Sequence, residues 1–194
     1  MTTQMNTKPY LAHVVFQTGQ MAEMREWYST VLEAHTVYEG HGLCFMTFDE
    51  EHHRIALLQP PVELEKRNPA SCGMHHSAYT FEHLDALLAR YSDLKEKGIE
   101  PVAPVQHGVT TSLYYQDPDG NFVELQVDNF PTPAETTGYM EGAEYDHDPV
   151  GVGFSPDLMI SERRRGTPAE TLQTRAWALS TTPDLPSPVE ALSS

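Results

Sequence analysis

The chain has 194 residues, with 12 Lys and Arg against 28 Asp and Glu and a formal net charge of −16, enough for one domain of ordinary size and a tail. So acidic a surface repels phosphate backbones and anionic headgroups, which excludes nucleic acid and membrane as partners. Two cysteines outside any CxxC pair, a start MTTQMNTKPY without an apolar core, and no apolar run of bilayer length point to a reduced, cytoplasmic protein.

Residues 1–9 read as an N-terminal arm. From Tyr10 an internal repeat begins: LAHVVF lies over MHHSAY at an offset of 63, so His13 falls on His76, Tyr28 on Tyr91 and Glu33 on Glu96. Met21, Met24 and Val31 fall on Leu84, Leu87 and Leu94, the i, i+3 stripe of an amphipathic helix. Each repeat is therefore predicted as strand, helix, then three strands. Those strands are expected at 36–38, 43–48 and 54–59 in the first repeat, and at 100–102, 110–115 and 121–127 in the second. The fold class is α+β, two βαβββ modules (10–62 and 73–129) paired in one domain (10–129) whose sheets enclose one cavity. Residues 130–154, rich in Pro, Gly and acids, are expected to run extended. Ser155-Pro156 and Thr167-Pro168 each signal a short helix start, with Gly166 stopping the first. Residues 130–179 thus form an extended tail with short helices, and 180–194, rich in Ser, Thr and Pro, are expected to be disordered.

The most informative stretch is 105–124, VQHGVTTSLYYQDPDGNFVE. Asp117-Pro118-Asp119-Gly120 marks a tight reversal between two alternating strands. On the second of these, Glu124 sits among Phe122, Val123 and Leu125, and a carboxylate so placed needs a cation or a donor. His13, His76 and Glu124 can converge: two imidazoles and one carboxylate make a facial triad suited to Fe(II), or to Mn(II). Laying ALLQ (56–59) over VELQ (123–126) puts Leu57 at the place of Glu124. The first module then offers no second carboxylate, which disfavours a four-ligand metal isomerase.

His107, the spacer GVTTS, Leu113-Tyr114, Asp117-Pro118, Gly120 and Glu124 resemble the signature of the type I extradiol catechol dioxygenases of the vicinal-oxygen-chelate superfamily, in its one-domain group. HRIAL from His53 resembles the segment that opens with the family's acid-base histidine, and LAH at His13 and MHH at His76 resemble its two ligand segments. The resemblance implies His13, His76 and Glu124 as metal ligands, with His53, Tyr114 and His107 as catalytic groups. It also implies Fe(II) as cofactor, O2 as co-substrate, an aromatic diol as substrate, a homodimer or larger homo-oligomer, and a ring-opened hydroxymuconic semialdehyde as product. Tyr114 would hydrogen-bond a diol oxygen and His53 would act as base and then acid. His52 and His75 compete with their neighbours His53 and His76, and the repeat register favours His76. The rival readings are a metal-dependent lyase or isomerase of the same fold, such as a glyoxalase or epimerase, and a non-enzymatic binding module.

Overall fold

A computed structural model describes residues 8–68, 70–182, 184–185 and 187–192. Most of the expected N-terminal arm and parts of the last fifteen residues lie outside these. The described residues fall into two compact units, one ending at Lys66 and one beginning at Arg67.

Unit one contains β1 (Val14–Gln17), α1 (Met21–Val31), β2 (His35–Gly40), β3 (Leu43–Thr47) and β4 (Ile55–Leu58). Its sheet runs in the order β1-β4-β3-β2, with β1 and β4 parallel and the other pairs antiparallel. Helix α1 buries Met24, Tyr28 and Val31 completely, as the sequence stripe requires. Each such side chain withdrawn from water contributes roughly 1.5–3 kcal/mol.

Unit two repeats the pattern with β5 (His76–Phe81), α2 (Leu84–Glu96), β6 (Ala103–Gln106), β7 (Thr110–Gln116) and β8 (Phe122–Asp128). Strand order β5-β8-β7-β6 mirrors unit one, and a ninth short strand, β9 (Val152–Gly153), extends the edge. Leu87, Tyr91 and Leu94 of α2 are buried in the places of Met24, Tyr28 and Val31. The strand expected at 100–102 forms instead at Ala103–Gln106, because Ala103 and Val105 are the residues that pair with β7 and bury.

The turn between β7 and β8 is held by Asp117. Its carboxylate accepts from the amides of Asp119 (3.0 Å) and Asn121 (2.8 Å) and from the Asn121 side chain (2.9 Å), while Gly120 takes φ +80°, where only glycine is unstrained.

After β8 the chain is more regular than its composition suggests. Residues 130–154 were expected to be extended, yet α3 (Pro133–Met140) and α4 (Ala143–His147) form there. The cause is an N-cap: the Thr132 hydroxyl accepts from the Glu135 amide (3.3 Å) and donates to its carboxylate (2.6 Å), with Pro133 pre-set for the first turn of α3. α5 (Pro156–Arg164) starts on Ser155 as predicted, and Gly166 follows it at φ +94°. α6 (Ala169–Leu172), α7 (Arg175–Thr181) and α8 (Pro188–Leu192) complete the unit. Helix α8 lies within the stretch that composition marks for disorder; its residues Ala191 and Leu192 pack on the β6-β7 face. Among the described residues no helix is long and apolar enough to cross a membrane.

Candidate metal and diol site

Unit two brings His76, His107, Tyr114 and Glu124 together on one face of its sheet. Glu124 pairs across the sheet with Ala78 of β5 and Tyr114 of β7, and Tyr114 pairs with Ala103 of β6. Alternation puts His76, two residues before Ala78, and Ser112, two before Tyr114, on that same face. Leu113, Tyr115, Val123 and Leu125 point the other way, into the core under α2. Tyr79 and Tyr115 thus belong to the opposite face.

Glu124 is only 4 % exposed, and its carboxylate stands 3.0 Å from His76 Nε2 and 3.9 Å from His107 Nε2. Burial pushes the carboxyl up, but hydrogen bonding with His76 and Ser112 and the nearby ring of His107 pull harder the other way. It therefore lies below the ordinary carboxylate value and stays ionised. The neighbouring histidine fixes the rest. His75 Nε2 donates to the Leu192 carbonyl (3.0 Å), so in the neutral ring its Nδ1 accepts, here from His76 Nδ1 at 2.8 Å. With His76 neutral, Nε2 then turns a lone pair toward the carboxylate; with the ring protonated, Nε2 donates to it. The 3.0 Å between Nε2 and Glu124 is thus a place that a proton or a metal cation fills.

His107 follows β6 in a tight reversal into β7, its amide donating to the Thr110 carbonyl (3.0 Å). Its Nδ1 donates to the Val150 carbonyl, so Nε2 of the neutral ring accepts from the Tyr114 hydroxyl at 3.0 Å. Burial holds the His107 imidazole below its ordinary value, against the pull of Glu124. Burial and then the Glu124 charge push the Tyr114 phenol far up, so it acts as a proton donor rather than a phenolate.

Three residues that sequence reasoning did not single out hold this arrangement. Ser112 hydrogen-bonds Glu124, and strand alternation from Tyr114 would have found it. Asn129 ties the reversal together, bonding Gln106 Oε1 (2.7 Å), the Gly108 carbonyl (2.9 Å) and Thr111 Oγ1 (2.8 Å). Arg175, buried in α7, donates to the His107 and Glu144 carbonyls, with the rings of Tyr139 and Tyr145 beside it at 5.9 and 5.7 Å. No local signal in the sequence connects Arg175 to His107.

In unit one, His13 is exposed and immediately precedes β1 rather than lying within it. Its ring is 4.3 Å from that of His53, which stacks on Phe45 at 4.7 Å. Arg54 donates to the carbonyls of Leu11 and Ala12, and so holds the segment leading to His13. Burial, then the rings of His13 and His52, lower the His53 value, favouring the neutral imidazole. Strand register also corrects the repeat alignment. Val15 pairs with Ala56 as Ala78 pairs with Glu124, and Phe45 pairs with Ala56 as Tyr114 pairs with Glu124. Ala56, not Leu57, holds the place of Glu124, and Phe45 that of Tyr114; the first unit still supplies no carboxylate there. Among the described residues, no three or more His, Cys, Asp or Glu side chains are grouped so as to hold a metal ion by themselves.

The profile of the Glyoxalase/Bleomycin resistance protein/Dioxygenase superfamily matches residues 10–125. The chain is 64% identical to biphenyl-2,3-diol 1,2-dioxygenase 2 of Rhodococcus globerulus over 98% of its length and 100% of the relative's. It is 54% identical to biphenyl-2,3-diol 1,2-dioxygenase 3 of the same organism over 91% of this chain and 94% of that one. A glyoxylase/bleomycin resistance protein/dioxygenase domain from Frankia sp. EAN1pec shares the fold at a TM-score of 0.54 and 16% identity, over 65% of this chain and 96% of that chain.

Proposed function

Because the chain belongs to the glyoxalase/bleomycin resistance protein/dioxygenase superfamily, we propose that it is an extradiol dioxygenase. It opens the ring of an aromatic diol of the biphenyl-2,3-diol kind and places both atoms of O2 in the product. The observation that carries this reading is the 64% identity to a biphenyl-2,3-diol 1,2-dioxygenase along the whole of that relative.

Enzymes of this class depend on a metal, and the donor set fits one: an ionised, buried carboxylate facing an imidazole nitrogen at 3.0 Å. His76 and Glu124 would hold it, with His13 as the third ligand that the sequence assigns. Fe(II) is the ion proposed, and Mn(II) the other that suits such nitrogen and oxygen donors. When bound, it supplies a Lewis-acidic centre for the two diol oxygens and a redox partner for O2.

The side chains account for proton handling and orientation. Tyr114 presents its hydroxyl beside Glu124, where it can hydrogen-bond a diol oxygen in place of His107 Nε2. His107 is kept neutral and its ring is fixed by the Val150 carbonyl, so Nε2 is an acceptor that positions the Tyr114 hydroxyl until a diol oxygen takes its place. His53, held neutral by burial, is the base assigned to the second diol hydroxyl and the acid that returns the proton. The free thiols Cys44 and Cys72 fit work in the cytoplasm, and assembly as a homo-oligomer is part of the same proposal.

Metal-stripped protein reloaded anaerobically with Fe(II), Mn(II), Ni(II) or Zn(II) and given a panel of catechols tests the reading. Oxygen uptake with yellow product for Fe(II) or Mn(II) supports it. Turnover with Ni(II) or Zn(II) and no oxygen uptake would instead favour an isomerase.

A further inference from the structure

We propose that helix α8 is a wall of the substrate pocket, and that the apolar cavity beside it receives the second ring of a biaryl diol. The inference rests on the reaction just assigned and deepens it to a specificity determinant.

Helix α8 is fastened on two sides of the diol site. Ala191 and Leu192 pack against Ala103, Val105 and Tyr114, the β6-β7 part of the face that carries Glu124. The Leu192 carbonyl accepts from His75, whose other ring nitrogen meets His76. One side of the helix end therefore touches the phenol that would orient the diol, and the other is linked to the imidazole that would hold the metal.

Next to α8 lies a cavity of about 330 Å³, lined by Val102, Ala103, Pro104, Phe154, Pro188 and Ala191 among others. None of its lining side chains is charged, in a chain of net charge −16. Its size and apolar lining suit a small aromatic group. Ala103 and Ala191 belong both to this lining and to the cluster around Tyr114, so these two small side chains are what stands between the cavity and the phenol. A bare catechol has nothing to place there, whereas an aryl substituent passing Tyr114 meets apolar side chains instead of water. Alanine at both positions keeps the partition between cavity and phenol to the thickness of a methyl group.

The test uses the full-length Fe(II)-loaded enzyme with Ala191→Phe and Ala103→Leu, comparing biphenyl-2,3-diol with catechol. Filling the cavity is expected to lower kcat/KM for biphenyl-2,3-diol about tenfold or more relative to catechol, the scale of discrimination that pocket volume gives. Leu192→Ala, which removes bulk without filling the cavity, should shift the ratio less. A ratio unchanged from wild type in both filling variants overturns the proposal, as does an equal fall for the two diols. If the wild type consumes neither diol, the reaction assignment falls. An anaerobic titration of wild type and Ala191→Phe with biphenyl-2,3-diol then decides the pocket on its own: unaltered affinity rejects it, and about tenfold weaker binding upholds it.

Discussion

Arg175 donates to the carbonyl of His107, 68 residues earlier in the chain, and the contact makes the C-terminal segment part of the site. Arg175 is 4 % exposed, and its replacement would leave the His107 carbonyl without this donor. Arg175→Met is expected to lower unfolding stability by about 1.5–3 kcal/mol, the range for hydrogen bonds to charged groups, measured by urea denaturation. Arg175→Lys, which keeps a donor but not the planar fork, should recover part of that loss.

The ligand assignments separate from the proton-handling ones. Glu124→Ala and His76→Ala are expected to lose bound metal and activity together, read by metal analysis and oxygen uptake. His53→Phe and Tyr114→Phe should keep stoichiometric metal while kcat drops on the order of 10²-fold, the scale of one acid-base group. Full turnover in His53→Phe would remove that residue from the mechanism.

His75 orients His76 without facing Glu124. His75→Phe keeps a ring to stack on Phe122, now 5.3 Å away, but cannot accept the His76 Nδ1 proton. Metal affinity is expected to weaken about 10–100-fold, as when an outer partner of a ligating histidine is lost. An equilibrium competition with a chelator reads this directly.

Two exposed pairs dock α5 on α2: Arg163 with Asp85 at 2.6 Å and Lys95 with Asp157 at 2.5 Å. Arg163 holds the Asp85 carboxyl below its ordinary value, and Lys95 does the same for Asp157. A depressed folded value means stability that is fully present above the unfolded value near 3.9 and lost as pH falls through the lower folded one. The Lys95 ammonium is raised, so its share is present below its unfolded value near 10.4 and fades as pH rises through the folded one. Asp85→Asn with Asp157→Asn should therefore lower the urea midpoint at pH 7 slightly, solvent screening keeping the effect small, and the difference should shrink as pH falls below the unfolded value and through the folded ones.

Much of this was legible in the sequence where short-range periodicity decides structure. The repeat offset anticipated that Tyr28 and Tyr91 would bury alike, and the DPDG turn fell where Asp117 and Gly120 require it. Composition misled after residue 130, because one N-cap at Thr132, bonded to Glu135, outweighs the many Pro and Gly around it. The likeness of ALLQ to VELQ misplaced Leu57 by one position, since letters carry no strand register. Arg175, Asn129 and the carbonyls of Val150 and Leu192 act through tertiary contacts alone, and no local pattern announces them.

The most direct test of the central claim is the fate of isotopic oxygen. Fe(II)-loaded enzyme given biphenyl-2,3-diol under 18O2 is expected to yield a ring-opened product carrying two labelled atoms by mass spectrometry, once exchange with water is controlled. A product carrying one labelled atom or none would contradict the assignment of this chain as a dioxygenase.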